Sequence, residues 1–173
     1  MREKEWPKIT LKMLKFIRIF KLIKKIPRTS WSSKKPLNIK PKIKTLTFLI
    51  FGLFLFGLGE TLLLASGGGV SPWTVLAEGI SVYSSYSIGL CTFCISIAVL
   101  ILWIPLKQKP GIGTILNAII ISIVLDVALP YLPNPENYGF KLLQIIIGVL
   151  ITGIGSGFYL ISNLGPGPRD GLM

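Results

Sequence analysis

Histidine is missing from the 173 residues, and cysteine occurs only twice. The first absence removes the commonest general base and metal ligand; the second removes any disulfide framework. Acids number seven, and neither a phosphate-binding P-loop nor a nucleophile elbow occurs. Enzyme classes therefore drop out, and no metal and no cofactor is expected. Cys91 and Cys94 have the C-x-x-C spacing, but they stand in an apolar run with no further ligand beside them and read as small packing residues.

Charge is scarce as well, at 15% of residues, and it is unevenly placed: 15 of the 19 Lys and Arg fall within residues 1–44. What fills the remainder is apolar and continuous. Blocks at 46–64, 88–104, 112–129 and 142–161 each approach the ~20 residues that a helix needs to cross a ~30 Å hydrocarbon core. They are apolar all round, which excludes barrel strands of alternating character. The predicted class is an all-α integral membrane protein with four transmembrane helices. No cleavable signal peptide is expected, because 44 residues precede the first block without a small-residue cleavage site. The segment 66–87 carries no Lys or Arg, whereas Lys107 and Lys109 sit between the second and third blocks. By the positive-inside rule the N-terminus and the terminal GPGPRD segment are cytoplasmic, in a multi-pass protein of the cell membrane.

Residues 1–27 form a basic arm. Within it Ile9, Met13, Phe16, Phe20 and Ile23 recur at helical spacing, Lys8, Lys12, Lys15, Arg18, Lys21 and Lys25 take the other side, and Pro27 ends the pattern. Residues 28–44 are a polar linker broken by Pro36 and Pro41. A helix tethered this close to a span sits beside an anionic leaflet, so anionic lipid headgroups are the favoured partner and nucleic acid is not expected. A solvated charge run that only enforces topology is the competing reading.

The strongest internal signal is a repeat at an offset of 96 residues: GLFLFGLGETLLLASGGGVSPWTVL from Gly52 aligns without gaps on GVLITGIGSGFYLISNLGPGPRDGL from Gly148. The matched positions are mostly Gly and Pro, among them Gly57/Gly153, Gly59/Gly155, Gly69/Gly165 and Pro72/Pro168. Those residues set backbone geometry rather than hydropathy. Three spans separate the start of one copy from the start of the next, so the second is inverted relative to the first, and this second copy is incomplete. Ser71 reads as an N-cap with Pro72 at the first helical position, and Gly167–Pro168 repeats that start more weakly. A half-helix from Pro72 through Trp73, Leu76 and Ile80 either lies in the interface, anchored by Trp73, or presents its N-terminus to a solute.

The stretches GLG (57–59), GVSPW (69–73), SIG (87–89), WIPLKQKPGIGTILNA (103–118) and NLGPGPRDGLM (163–173) resemble the YczE-like integral membrane proteins, a group akin to YyaS and YitT. The likeness runs from about Thr45 to the last residue. It implies a compact bacterial multi-span protein without an assigned reaction, sometimes suspected of transport. The resemblance also implies further spans after GPRDGLM, so a chain truncated there is expected to lack part of its second repeat. The family often carries an acid after SPW, where this sequence has Thr74, leaving Asp170 as the acid of that pair.

Among polar residues within the spans, Glu60 and Asp126 are candidates for a proton or cation site, with headgroup exposure at the outer interface as the alternative. Asn117, Ser71, Thr74, Arg169 and Asp170 complete the solute- or ion-binding candidates. Gly69, Pro72, Gly165 and Pro168 set the loop geometry, and Gly57, Gly59, Gly153 and Gly157 are the expected helix-packing positions. Thr114 and Gln144 read as interhelical hydrogen-bonding residues. The expected function is that of a multi-pass membrane protein, transporter-like for a small solute. The alternatives are a non-transporting accessory that packs against a membrane partner or a second copy, or an inactive fragment of a six-span protein.

Overall fold

A computed structural model describes residues 29–170. The basic arm over 1–27 lies outside them. Five α-helices follow in order: α1 (Ile43–Ser66), α2 (Pro72–Ser84), α3 (Ile88–Trp103), α4 (Ile112–Ala128) and α5 (Tyr138–Ser162), with a 3₁₀ turn at Leu129–Tyr131. No strand occurs among the described residues. α1, α5, and α4 extended by its 3₁₀ turn, are long and apolar enough to cross a membrane. The outward-facing side chains agree: Phe51, Phe54, Ile101, Ile123 and Leu150 are all exposed, a surface that fits lipid rather than water. The protein is an all-α membrane protein.

The second apolar block departs from expectation. α3 has 16 residues, about 24 Å at 1.5 Å per residue, and falls short of the ~30 Å core by itself. It passes as a fourth span only together with α2, from which it is bent by 116°. The bend follows from the sequence SSYS at 84–87: Ser85 closes α2 in the left-handed region (φ 60°) and the Ser87 hydroxyl caps α3 by accepting from Leu90 N. Two helix signals placed so close together end one axis and start another.

The helices contact one another in the sequence α5, α1, α4, α3, α2. The centre is the α1–α5 pair, which crosses antiparallel on glycine. A Cβ on Gly52 would lie 3.0 Å from Gly155 O, and one on Gly148 would lie 3.2 Å from Gly59 O. With no side chains between them, the two backbones meet directly, the close approach that small residues permit between spans. Gly57 admits Val124 of α4 on another face of α1. Around this crossing Leu49, Leu53, Ile121, Leu125, Tyr159 and Leu164 form the buried core. Gly153 and Gly157, expected as packing positions, do not take part: a Cβ on either meets nothing within 4 Å among the described residues. The helical turn places them on the opposite side from Gly148 and Gly155, which carry the contact instead.

The linker ahead of α1 doubles back across the end of α5. Ser33 N donates to Ser162 O (3.0 Å), Asn163 Nδ2 donates to Ser33 O (2.9 Å), and Trp31 stacks on Phe48, which stacks on Phe158.

Replacement of Gly155 by Leu should overpack the crossing and lower stability by about 1–3 kcal/mol or more. Gly153→Leu, on the open face, should leave it near wild type. Thermal unfolding of the two variants in one detergent checks this, and equal losses would contradict the assigned packing face.

A cavity between two re-entrant turns

Each of α1 and α5 ends in a left-handed residue, Gly67 (φ 59°) and Asn163 (φ 53°), followed two positions later by a glycine that only a residue without Cβ adopts easily, Gly69 (φ 125°) and Gly165 (φ 118°). Both chains are thereby turned back into the bundle instead of out of it. After α1, the segment 67–71 returns far enough for Ser71 Oγ to reach Glu60 Oε2 (3.4 Å), while Thr74 Oγ1 donates to the same oxygen at 2.8 Å. Glu60 stands six residues before the end of α1, so the turn descends about 9 Å at 1.5 Å per residue. Ser71 caps α2, accepting from Thr74 N with Pro72 in the first helical turn.

The second turn is held by the WIPLKQKPGIGT stretch. Gly113 N donates to Leu164 O (2.8 Å), Thr114 Oγ1 to Pro166 O (2.6 Å), and the buried indole of Trp103 to Pro168 O (3.1 Å). Gly111 and Gly165 meet backbone to backbone. The hydroxyl of Tyr159 donates to Gly165 O (2.8 Å). The two longest sequence motifs are therefore one structure, each satisfying the other's backbone groups. Gly167–Pro168, expected as a weak helix start, opens a turn over Pro168 and Arg169 that passes into 3₁₀ conformation at Asp170, the last described residue. Asp170 Oδ2 accepts from Gly167 N (3.2 Å) and Oδ1 pairs with Arg169 Nε at 3.5 Å; the Arg169 guanidinium lies 5.9 Å from the centre of the Phe56 ring.

Because α1 and α5 are antiparallel, the turns enter from opposite ends, and they meet at a cavity of about 170 Å³. Six of the seven solute-binding candidates read from the sequence line it: Glu60, Ser71, Thr74, Asn117, Arg169 and Asp170. Trp73, expected as an interfacial anchor, lines it as well, together with Thr92, Ser96, Ser156 and Tyr159, which the sequence did not single out. Hydroxyls on apolar helices are too common to flag, though Ser156 occupies the position that Glu60 holds one repeat offset earlier. Glu60 is 5% exposed, because the returning turn covers it.

Asp126 is the candidate that stands apart. Its carboxylate accepts from Ser87 Oγ and Gly89 N, both at 2.7 Å, at the start of α3. It satisfies donors at a helix N-terminus, where a negative charge is favoured, and it does not line the cavity. Gln144 makes the interhelical bond expected of it, Nε2 donating to Leu62 O and also to Pro133 O, both at 3.1 Å, whereas Thr114 bonds the turn after α5 and not a helix. Cys91 is buried against Ala77 and Ile95, and Cys94 is exposed.

Residues 43–173 match a family of unknown function, DUF6198. The chain belongs to the DUF6198 family. Among its relatives are an uncharacterized protein of Haemophilus influenzae, 40% identical over 88% of this chain and 69% of that protein, and the uncharacterized membrane protein YczE of Bacillus subtilis, 30% identical over 73% of this chain and 60% of that protein. The Bacillus subtilis protein YyaS is also 30% identical, over 70% of this chain and 62% of that protein. These relatives bear out the YczE-like resemblance carried by the motifs. The chain spans 60–69% of the length of the relatives it matches. No solved structure matches it. The DUF6198 match begins at Ile43, the first residue of α1, and includes every motif that builds the cavity.

Trp103→Phe keeps an aromatic ring but removes the bond to Pro168 O and part of the buried indole, which should cost at least about 1–2 kcal/mol and loosen the 165–170 turn. Faster proteolysis at that turn, compared with wild type in the same detergent, is the expected readout.

Proposed function

We propose that this DUF6198 chain binds a small solute in the cavity between its two re-entrant turns and serves its passage across the membrane, a transporter-like role and not a catalytic one. The single observation that carries this reading is the convergence of Gly/Pro-broken turns from opposite ends of the bundle on one polar-lined cavity, the arrangement from which inverted-repeat transporters build their sites.

The inverted repeat itself has support beyond the alignment. Gly52 meets Gly155, which is the counterpart of Gly59; Gly59 meets Gly148, which is the counterpart of Gly52. Such reciprocal contact is what a two-fold relation produces. Ser66 and Ser162 both donate to a carbonyl three residues back, at 2.6 Å in each case. In this reading there are four spans, with α2 and α3 together as the second. The basic linker and the 165–170 turn face the cytoplasm, the 67–71 turn faces outward, and the arm rests on anionic headgroups.

Two experiments test the proposal. With Cys91 and Cys94 replaced by Ala, Val70→Cys and Pro166→Cys should react with an impermeant thiol reagent from opposite faces of oriented vesicles; reaction from the same face removes the inverted repeat. In the same background Ser156→Cys, inside the cavity, should be labelled from both faces as the site opens to each. Labelling from one face only supports instead a static accessory protein.

A further inference from the structure

Glu60 stands out within the cavity by its lack of an opposite charge. Its side chain is 95% buried, the residue being 5% exposed, yet no Lys or Arg nitrogen lies within 4 Å of it among the described residues. The cation that lines the same cavity, Arg169, is paired with Asp170 at 3.5 Å. The Thr74 and Ser71 hydroxyls both donate to Oε2, and Oε1 receives no hydrogen bond among the described residues. Proximity to the N-terminus of α2 offsets part of the charge, equivalent to roughly half an elementary charge. What remains is an excess negative charge on a cavity wall, a costly arrangement in a low-dielectric setting unless a cation shares it.

The repeat explains why the excess exists. At the offset of 96 residues, the couple Glu60 and Thr74 corresponds to Ser156 and Asp170. One copy carries its carboxylate on the long helix and the other on the turn. Only the second copy follows its turn with an arginine in register, because Arg169 corresponds to Trp73. The first copy thus presents a carboxylate and an indole to the cavity where the second presents a closed ion pair.

We propose that Glu60 binds the ammonium group of a small organic monocation, with Trp73 offering its ring face to the same charge. A buried carboxylate beside an aromatic face is the combination that recognises an organic ammonium, by charge-assisted hydrogen bonding and by cation–π attraction. The volume, about 170 Å³, equals about five or six water molecules and limits the solute to a few non-hydrogen atoms. This inference rests on the proposed solute-binding role of the cavity and adds the charge of what occupies it.

The test uses the full chain in lipid nanodiscs and follows thermal unfolding by tryptophan fluorescence at fixed ionic strength and pH. The probes are ethylammonium chloride, potassium chloride, and the neutral propionamide. Ethylammonium should raise the midpoint saturably, as a ligand of the folded state does, and the other two should not. Glu60→Gln, which keeps the shape and an acceptor for both hydroxyls, should weaken the ethylammonium effect by about tenfold or more, and Asp126→Asn should leave it unchanged. Saturable stabilisation by propionamide alone overturns the charge assignment while sustaining a solute site. Stabilisation by potassium alone overturns the organic part, and an undiminished ethylammonium effect in Glu60→Gln removes Glu60 from the site. If no probe stabilises the chain, this inference falls, while the solute-binding reading is decided separately by the two-sided labelling of Ser156→Cys. The comparison among probes is made on the unaltered chain, so it decides even if the Gln variant does not fold.

Discussion

Backbone contact between α1 and α5 is the constraint on which the rest of the molecule depends. Gly52, Gly59, Gly148 and Gly155 let two long helices touch without intervening side chains, and in a bilayer such van der Waals contact stands in for the hydrophobic drive that lipid cannot supply between helices. The close crossing has a geometric result. The ends of α1 and α5 point to opposite sides, and the turns that follow them are brought back toward the same middle depth. A wider crossing set by Leu or Ile would hold the two turns farther apart and would open the cavity to lipid.

Polarity inside the bundle is organised by these turns rather than by the helices. Backbone groups in and beside each returning segment are met by side chains: the hydroxyl of Ser66 accepts from Gly68 N and that of Ser71 from Thr74 N on one side, and the indole of Trp103 and the hydroxyls of Thr114 and Tyr159 donate to carbonyls on the other. Irregular backbone at this depth is tolerated only when so paired or when it lines a cavity, and here it does both. The side chains left over at the meeting point, above all Glu60, are therefore the ones available to a solute.

Much of this was legible in the sequence, and the reasons are specific. α1, α4 and α5 were predicted within a few residues because each is a long apolar block closed by Gly67, Pro130 or Asn163–Gly165. α2 was legible from Ser71–Pro72, and six of the cavity's residues were named: Glu60 and Asn117 because they are polar within apolar spans, and Ser71, Thr74, Arg169 and Asp170 because they lie in or beside Gly/Pro turns. Other features were not legible. Composition does not reveal that α3 is too short to span alone, since the bend at 84–87 depends on serines that could equally sit inside a helix. Gly153 and Gly157 share the small-residue spacing with Gly148 and Gly155, and only the position of α4 and α5 around α1 decides which set makes contact. Asp126 and Glu60 look alike in the sequence, each an acid within the last two turns of an apolar helix. What separates them is tertiary: one meets the start of α3 and the other meets a turn folded over it.

The return of the linker across the end of α5 has a consequence for orientation. Ser33 is bonded to Ser162 and Asn163, so the described part of the basic linker, with Lys34, Lys35, Lys40, Lys42 and Lys44, lies at the same end of the bundle as the GPGPRD turn. Under the proposed cytoplasmic placement of that end, moving the linker's positive charge to the far end would be the direct way to turn the molecule over.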